Sequence, residues 1–75
     1  MKTPIECYVI ERVKVLRTER GMSQAELAFK IEVSSGFIGK VETMSLPTKY
    51  NLNHINRIAK VFNISPQELL PNKSL

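Results

Sequence analysis

The sequence predicts a single all-α domain, from its helix caps, its apolar spacing and its lack of strand-like alternation. In a capping box, a Ser or Thr hydroxyl accepts a hydrogen bond from the third helical N–H, and a Glu at that third position accepts from the N–H of the cap residue. The chain contains three such boxes, at Thr3 with Glu6, Ser23 with Glu26, and Ser65 with Glu68. Apolar residues recur at intervals of three and four, whereas no stretch alternates apolar and polar residues over the length of a strand. The 75 residues give room for one domain, residues 1–75.

Two helices are predicted in the first part of the chain, near residues 4–20 and 24–31. Pro4 suits a first helical position, because the N–H that proline lacks would have no partner there. The first helix should end where Arg20 precedes Gly21, since a cation favours the helix C-terminus and glycine readily terminates the helix. The residues expected to face the core are Val9, Val13 and Leu16 in the first helix and Leu27, Ala28 and Ile31 in the second.

Three more helices are predicted, near residues 34–43, 51–62 and 66–70. Ser34 is the expected N-cap of the third helix, and Pro66 is the expected first residue of the fifth. The apolar residues of the third helix are Phe37, Ile38 and Val41. Those of the fourth are Leu52, Ile55, Ile58, Ala59 and Phe62. Residues 44–50 should form a loop, because Pro47 disfavours helix at the residue before it.

The second and third helices carry the feature that predicts a function. Only Glu32 and Val33 separate the second helix from Ser34, and so short a turn makes the two helices cross steeply, as in a helix-turn-helix. The outward face of the third helix would then carry small or cationic residues, namely Ser35, Gly36, Gly39 and Lys40. The major groove of B-DNA is about 12 Å wide and presents guanine O6 and N7, which accept hydrogen bonds from lysine. The pattern therefore predicts a slim helix that enters the major groove of double-stranded DNA.

The composition favours the same partner and argues against catalysis. Lys and Arg number 11 against 7 Asp and Glu, a net charge of +4 that suits a polyanion. A chain of this size buries too little surface for a deep enzyme pocket. The sequence has no glycine-rich phosphate loop, and His54 has no second His or carboxylate at metal-ligand spacing. We expect no enzyme activity, cofactor, metal ion or small-molecule ligand, and we expect His54 to be an exposed helix residue.

The expected location is the cytoplasm. Cys7 is the only cysteine and cannot form an internal disulfide, which suits a reducing compartment, and it should behave as a small, partly buried apolar residue. The apolar stretch after Lys2 is broken by Glu6 and Glu11 and is too short for a signal-peptide core. No run approaches the roughly 18 apolar residues that a membrane span needs. We therefore expect a soluble protein with no membrane partner.

Residues 17–42, "RTERGMSQAELAFKIEVSSGFIGKVE", resemble the helix-turn-helix of the phage-repressor and Cro-like family, the XRE-type DNA-binding domains. The segment "IAKVFNISPQELL" resembles the fourth and fifth helices of that family, so the resemblance covers nearly the whole chain. It implies a compact five-helix bundle of the lambda-repressor-like type. It also implies sequence-specific binding of double-stranded DNA by a transcriptional regulator, usually a repressor.

The resemblance assigns roles to residues of this chain. Base contacts are implied for Ser35, Gly36 and Lys40, with Gly39 beside them. Phosphate contacts are implied or expected for Gln24, Arg17, Ser34 and Lys49, of which Lys49 is our candidate in the loop after the third helix. A helix N-terminus such as the one that Gln24 begins presents free N–H groups to phosphate. Arg17 and Glu42 are expected to form an ion pair that ties the first helix to the end of the third.

The chain departs from the family pattern at three places. Glu32 stands where the family usually has glycine, and a non-glycine residue held at positive φ costs on the order of 1 kcal/mol. The loop from Thr43 to Tyr50 is longer than usual. Gly36 removes a side chain from a position where base readers are expected, so direct readout should be sparse and supplemented by DNA shape.

Two expectations concern partners. A single domain of this kind reads few bases, so we expect a symmetric homodimer on a two-fold operator. Candidate contacts are Leu46, Leu69, Leu70 and the C-terminal tail, although the same residues could equally close the core. The alternative function is a helix-turn-helix that mainly holds a protein, as when an antitoxin of this family neutralises its toxin.

Overall fold

The computed structural model describes residues 1–75, which form four α-helices and one 3₁₀ helix. The α-helices are α1 (Pro4–Glu19), α2 (Gln24–Lys30), α3 (Phe37–Glu42) and α4 (Leu52–Phe62), and the 3₁₀ helix spans Pro66–Leu69. The prediction of an all-α domain is confirmed. The prediction of five α-helices is wrong, because the last segment closes one tight turn, in which Glu68 N donates to Ser65 O and Leu70 N to Gln67 O.

Local sequence signals set most helix starts. All three predicted capping boxes are present, with the Thr3, Ser23 and Ser65 side chains each accepting from the backbone inside its helix. A fourth box at α4 uses Asn51 and His54, a pair that the sequence analysis did not identify. His54 is therefore not the exposed helix residue expected, because its ring is partly buried and Nδ1 accepts from Asn51 N at 3.0 Å.

The predicted start of the third helix is wrong. Its N-cap is Gly36 rather than Ser34, and no side chain caps it. Ser34 lies in the preceding turn, where its carbonyl oxygen accepts from Phe37 N at 3.0 Å. The α3 helix is thus only six residues long.

The core lies where α1, α2, α3 and α4 meet. All the stripe residues predicted for the first two helices are buried in it. Ile38 and Val41 of α3 are each 0% exposed, and Ile58, Ala59 and Phe62 of α4 join them. Leu52, predicted on the apolar face of the fourth helix, is instead 82% exposed. No helix in the structure combines the length and the apolar character needed to cross a membrane.

Candidate nucleic-acid interface

The turn between α2 and α3 is closed by backbone hydrogen bonds. Val33 N donates to Ala28 O at 3.0 Å, and Glu32 N donates to Phe29 O at 3.2 Å. Glu32 has φ of 62°, in the left-handed region, as expected from its place in the family pattern. This turn directs α3 across α2 and leaves Ser34, Ser35 and Gly36 at the leading end of α3, exposed to solvent.

The outward surface of α3 is thin and carries one lysine. Ser34, Ser35, Gly36 and Lys40 are all exposed. A Cβ placed on Gly36 would meet no atom within 4 Å, so packing does not require glycine there. Lys40 takes part in neither of the ion pairs of the fold, which leaves its ammonium available to a ligand. We call Ser34, Ser35, Gly36 and Lys40 the α3 surface.

Gly39 was expected on that surface, but the structure places it elsewhere. It is partly buried, and a Cβ built on it would come 3.2 Å from Gln24 Oε1. Gly39 therefore sits at the crossing of α2 and α3, where its missing side chain lets the Gln24 amide lie close against α3.

Three helices meet at the carboxylate of Glu42. Arg17 of α1 donates to it from Nε at 3.1 Å and from Nη2 at 2.8 Å, while Gln24 of α2 donates from Nε2 at 2.9 Å. Arg17 also donates from Nη1 to Met22 O at 2.9 Å. The side chains of Arg17 and Glu42 are only 9% and 4% exposed, so the pair is an interior tie between α1 and α3. Because the guanidinium is buried and bonded inside the fold, we do not retain Arg17 as a phosphate contact.

Gln24 remains exposed at the first position of α2. Its amide nitrogen carries two hydrogens, of which Glu42 takes one. The second can be donated outwards, beside the first N–H groups of α2. The junction at Glu42 thus holds the Gln24 side chain in one orientation at the edge of the α3 surface.

Lys49, the candidate phosphate contact in the loop after α3, forms an ion pair within the fold. Its Nζ lies 2.7 Å from Glu6 Oε2. Glu6 also accepts from Thr3 N through Oε1 at 2.8 Å, so one carboxylate serves both the α1 cap and the loop. The hydrogen bond from Lys49, followed by that from Thr3, lowers the pKa of Glu6.

An aromatic cluster supports α3 from behind. The ring centroid of Phe37, the first residue of α3, lies 4.7 Å from that of His54 and 6.2 Å from that of Tyr50. Burial, reinforced by the Glu42 carboxylate, raises the pKa of Tyr50, and burial with the nearby charge of Arg57 lowers that of His54. The cluster joins the start of α4 to the start of α3.

Lys2 is a residue that the sequence analysis missed. It is only 8% exposed, and its Nζ donates to Val41 O at 2.6 Å and to Thr43 O at 2.9 Å, at the C-terminal end of α3. Its partners lie 39 and 41 residues away in the sequence, and no local pattern marks such a contact.

Comparison with known families identifies the architecture. A helix-turn-helix family model matches residues 13–69, which include every residue of the α3 surface and of the Glu42 junction. The chain belongs to the XRE family of helix-turn-helix regulators. A search among curated proteins gave no significant match.

Solved structures of XRE-type regulators share this fold. The restriction-modification controller protein C.AhdI from Aeromonas hydrophila is 32% identical, with a TM-score of 0.71, and the match covers 84% of this chain and 92% of that chain. SinR, the master regulator of biofilm formation from Bacillus subtilis, has been solved in complex with DNA and is 28% identical to this chain. The TM-score is 0.68, and the match covers 81% of this chain and 95% of that chain. A SinR–SinI protein complex matches with 28% identity, a TM-score of 0.70 and coverage of 85% of this chain and 61% of that chain.

Proposed function

We propose that this XRE-family domain binds double-stranded DNA in a sequence-specific manner and regulates transcription, as a repressor that occupies a promoter. The observation that carries the proposal is the α3 surface, which is exposed and free of bulky side chains. It also carries the ammonium of Lys40, which forms no ion pair within the fold. SinR, a relative of the same fold, has been solved in complex with DNA. Action on genomic DNA would place the chain in the cytoplasm.

In this proposal, α3 enters the major groove. Lys40 donates to guanine O6 or N7, and the Ser35 hydroxyl contacts a neighbouring base edge. Gln24 donates its remaining amide hydrogen to a phosphate, and Ser34 contacts the backbone from the turn before α3. Because Gly36 has no side chain, shape and deformability of the DNA supply the remainder of the specificity.

We further propose that the chain acts as a two-fold dimer on half-sites about 34 Å apart. Of the three leucines suggested for the interface, Leu69 is wholly buried in the core and is withdrawn. Leu46 and Leu70 are 39% and 41% exposed and remain candidates.

Selection of duplexes from a random pool tests the proposal. We expect enrichment of a two-fold symmetric sequence, and the affinity of the selected duplex should fall with salt by about 0.9 log units per log unit of salt for each neutralised phosphate. Sedimentation on the selected duplex should show two chains bound. Failure to enrich or bind any duplex at low salt would reject the proposal.

A second candidate function is the binding of a protein partner, as by an antitoxin. It is favoured by Phe29 and Leu52, which are 84% and 82% exposed although they are large and apolar. SinR, again, has been solved in complex with a protein, SinI. If no duplex binds at low salt, binding of a protein partner replaces DNA binding as the proposed function.

A further inference from the structure

The N-terminal segment makes a contact with α3 from outside the residues that the helix-turn-helix family model matches. Lys2 lies ahead of the matched residues 13–69 and reaches across to the last turn of α3. Its ammonium is buried there, with Val41 O and Thr43 O as its two acceptors. A buried ammonium is tolerated only where hydrogen bonds compensate for lost hydration, so this placement is specific.

The position of Lys2 matters because α3 is short. With six residues, α3 has few internal hydrogen bonds, and no side chain caps its start. The last carbonyl groups of any helix have no partner within it, and they form the negative end of the helix dipole. Lys2 supplies a donor to one of these carbonyls, that of Val41, and places a favourable charge at that end.

A second tie from the same segment holds the far end of the loop that follows α3. Glu6 binds Lys49 at 2.7 Å, whereas Lys2 binds the loop at its beginning, at Thr43. The segment from Lys2 to Glu6 therefore clasps the connection between α3 and α4 at both ends.

We propose that Lys2 is a positioning residue for DNA recognition, which holds the C-terminal end of α3 in the orientation that reads the major groove. The inference rests on the proposed DNA-binding function. When Lys2 is absent, α3 samples other orientations, and the apparent affinity falls in proportion to the binding-competent fraction. Base contacts depend on the orientation of α3, whereas electrostatic attraction to phosphates depends on it only weakly. Loss of Lys2 therefore lowers the preference for the selected duplex over a scrambled one.

The test compares variants of the full chain on the duplex obtained by selection and on a scrambled duplex of equal length, over a range of salt concentrations. Lys2→Met keeps most of the aliphatic stem and removes the ammonium, and Lys2→Arg restores a charged donor. Leu69→Val is the matched stability control, because Leu69 is buried in the 3₁₀ helix, which packs on α1 and α4. Binding is measured well below the melting temperature of each variant. Should Lys2→Met fail to fold, Lys2→Gln takes its place.

For Lys2→Met we expect the affinity for the selected duplex to fall by roughly two- to thirtyfold, the range produced by residues coupled to a binding site without touching the ligand. The ratio of selected to scrambled binding should fall with it, Lys2→Arg should recover most of the ratio, and Leu69→Val should melt earlier with the ratio intact. The salt slope should not change, because the Lys2 ammonium is buried and, in this proposal, contacts no phosphate.

Two results would overturn the inference. One is a wild-type ratio in Lys2→Met, and in Lys2→Gln if that replaces it, which would make the contact purely structural. The other is a salt slope shallower by about 0.9, which would make Lys2 a phosphate ligand. If the wild-type chain itself binds neither duplex, the proposed function fails instead, so the two failures are distinguishable.

Discussion

At the scale of single residues, the Glu42 carboxylate connects stability to the DNA-binding geometry. It accepts from Arg17 of α1 and Gln24 of α2 while belonging to α3, and it is almost fully buried. Surface ion pairs contribute little, but removing one partner of a buried pair leaves the other charge without compensation. The same carboxylate orients the amide that we assign to a phosphate. One side chain thus holds the three helices in register and sets the edge of the α3 surface.

Glu42→Ala should destabilise the domain by about 3 kcal/mol, because it strands the buried guanidinium of Arg17. Glu11→Ala is the matched control, since Glu11 is an exposed carboxylate outside both ion pairs. Thermal and urea unfolding followed by circular dichroism measure both variants. Equal stabilities for the two variants would show that the Arg17–Glu42 pair is not a structural tie.

Stability should also depend on pH through His54, the only histidine of the chain. Burial first, then the charge of Arg57, lowers its pKa below 6.5 in the folded state, and its Nδ1 must be unprotonated to accept from Asn51 N. The unfolded chain therefore binds the proton more readily, so this stabilisation is complete above pH 6.5 and is lost as the pH falls towards the folded pKa. The stability that depends on Glu6 is lost only at lower pH, below 4.5.

We expect the free energy of unfolding to decrease as the pH falls below about 6.5. In His54→Gln, this decrease should be absent down to the pH at which carboxylates begin to titrate. Urea unfolding at a series of pH values measures it. An unchanged pH profile in His54→Gln would rule out His54 as the source.

At the scale of elements, the turn between α2 and α3 contains a strained residue. Glu32 has φ of 62°, a conformation that glycine adopts without the steric cost borne by a Cβ. The turn still closes with the backbone hydrogen bonds of a helix-turn-helix. These backbone hydrogen bonds therefore hold Glu32 in the left-handed conformation despite its steric cost.

Glu32→Gly should stabilise the domain by about 0.5–1 kcal/mol, because relief of the left-handed strain exceeds the added entropy of the unfolded chain. Asn63→Gly is the matched control, since Asn63 also has positive φ, at 57°, but asparagine tolerates that region better. The gain for Asn63→Gly should be smaller when both variants are compared in urea. A larger gain for Asn63→Gly would contradict the explanation by strain.

How far the elements could be predicted depends on how local their causes are. The starts of α1 and α2 follow from capping boxes that lie within four residues of the chain, and the structure confirms them. Ser34 has the right chemistry for an N-cap, but its carbonyl closes a tight turn with Phe37 N, and α3 begins only at Phe37. The Lys2–Val41 and Glu6–Lys49 contacts join residues that only the tertiary fold brings together, so no sequence spacing predicts them.

Lys40, the exposed lysine of α3, should contribute to the recognition of a base. Lys40→Ala should cost about 1–3 kcal/mol of binding to the selected duplex and relax the preference at one base position. Lys14→Ala, which removes an exposed lysine from α1, controls for the loss of one positive charge. Binding isotherms on the selected duplex and on single-base variants measure the effect. If Lys40→Ala and Lys14→Ala lose the same binding free energy, Lys40 contributes only general electrostatic attraction and contacts no base.

At the scale of the whole molecule, a small core presents one short helix and secures it from several directions. The Glu42 junction ties α3 to α1 and α2, the aromatic cluster of Phe37, Tyr50 and His54 supports its start, and Lys2 holds its end. The exposed apolar side chains of Phe29 and Leu52 do not belong to the α3 surface. These two side chains therefore form no part of the surface that we propose for DNA.

Contact between the α3 surface and DNA is tested most simply by amide chemical-shift mapping of the ¹⁵N-labelled chain as the selected duplex is added. We expect the largest changes on residues 34–40 and on Gln24. Changes confined to the regions around Phe29 and Leu52, with residues 34–40 unaffected, would contradict it.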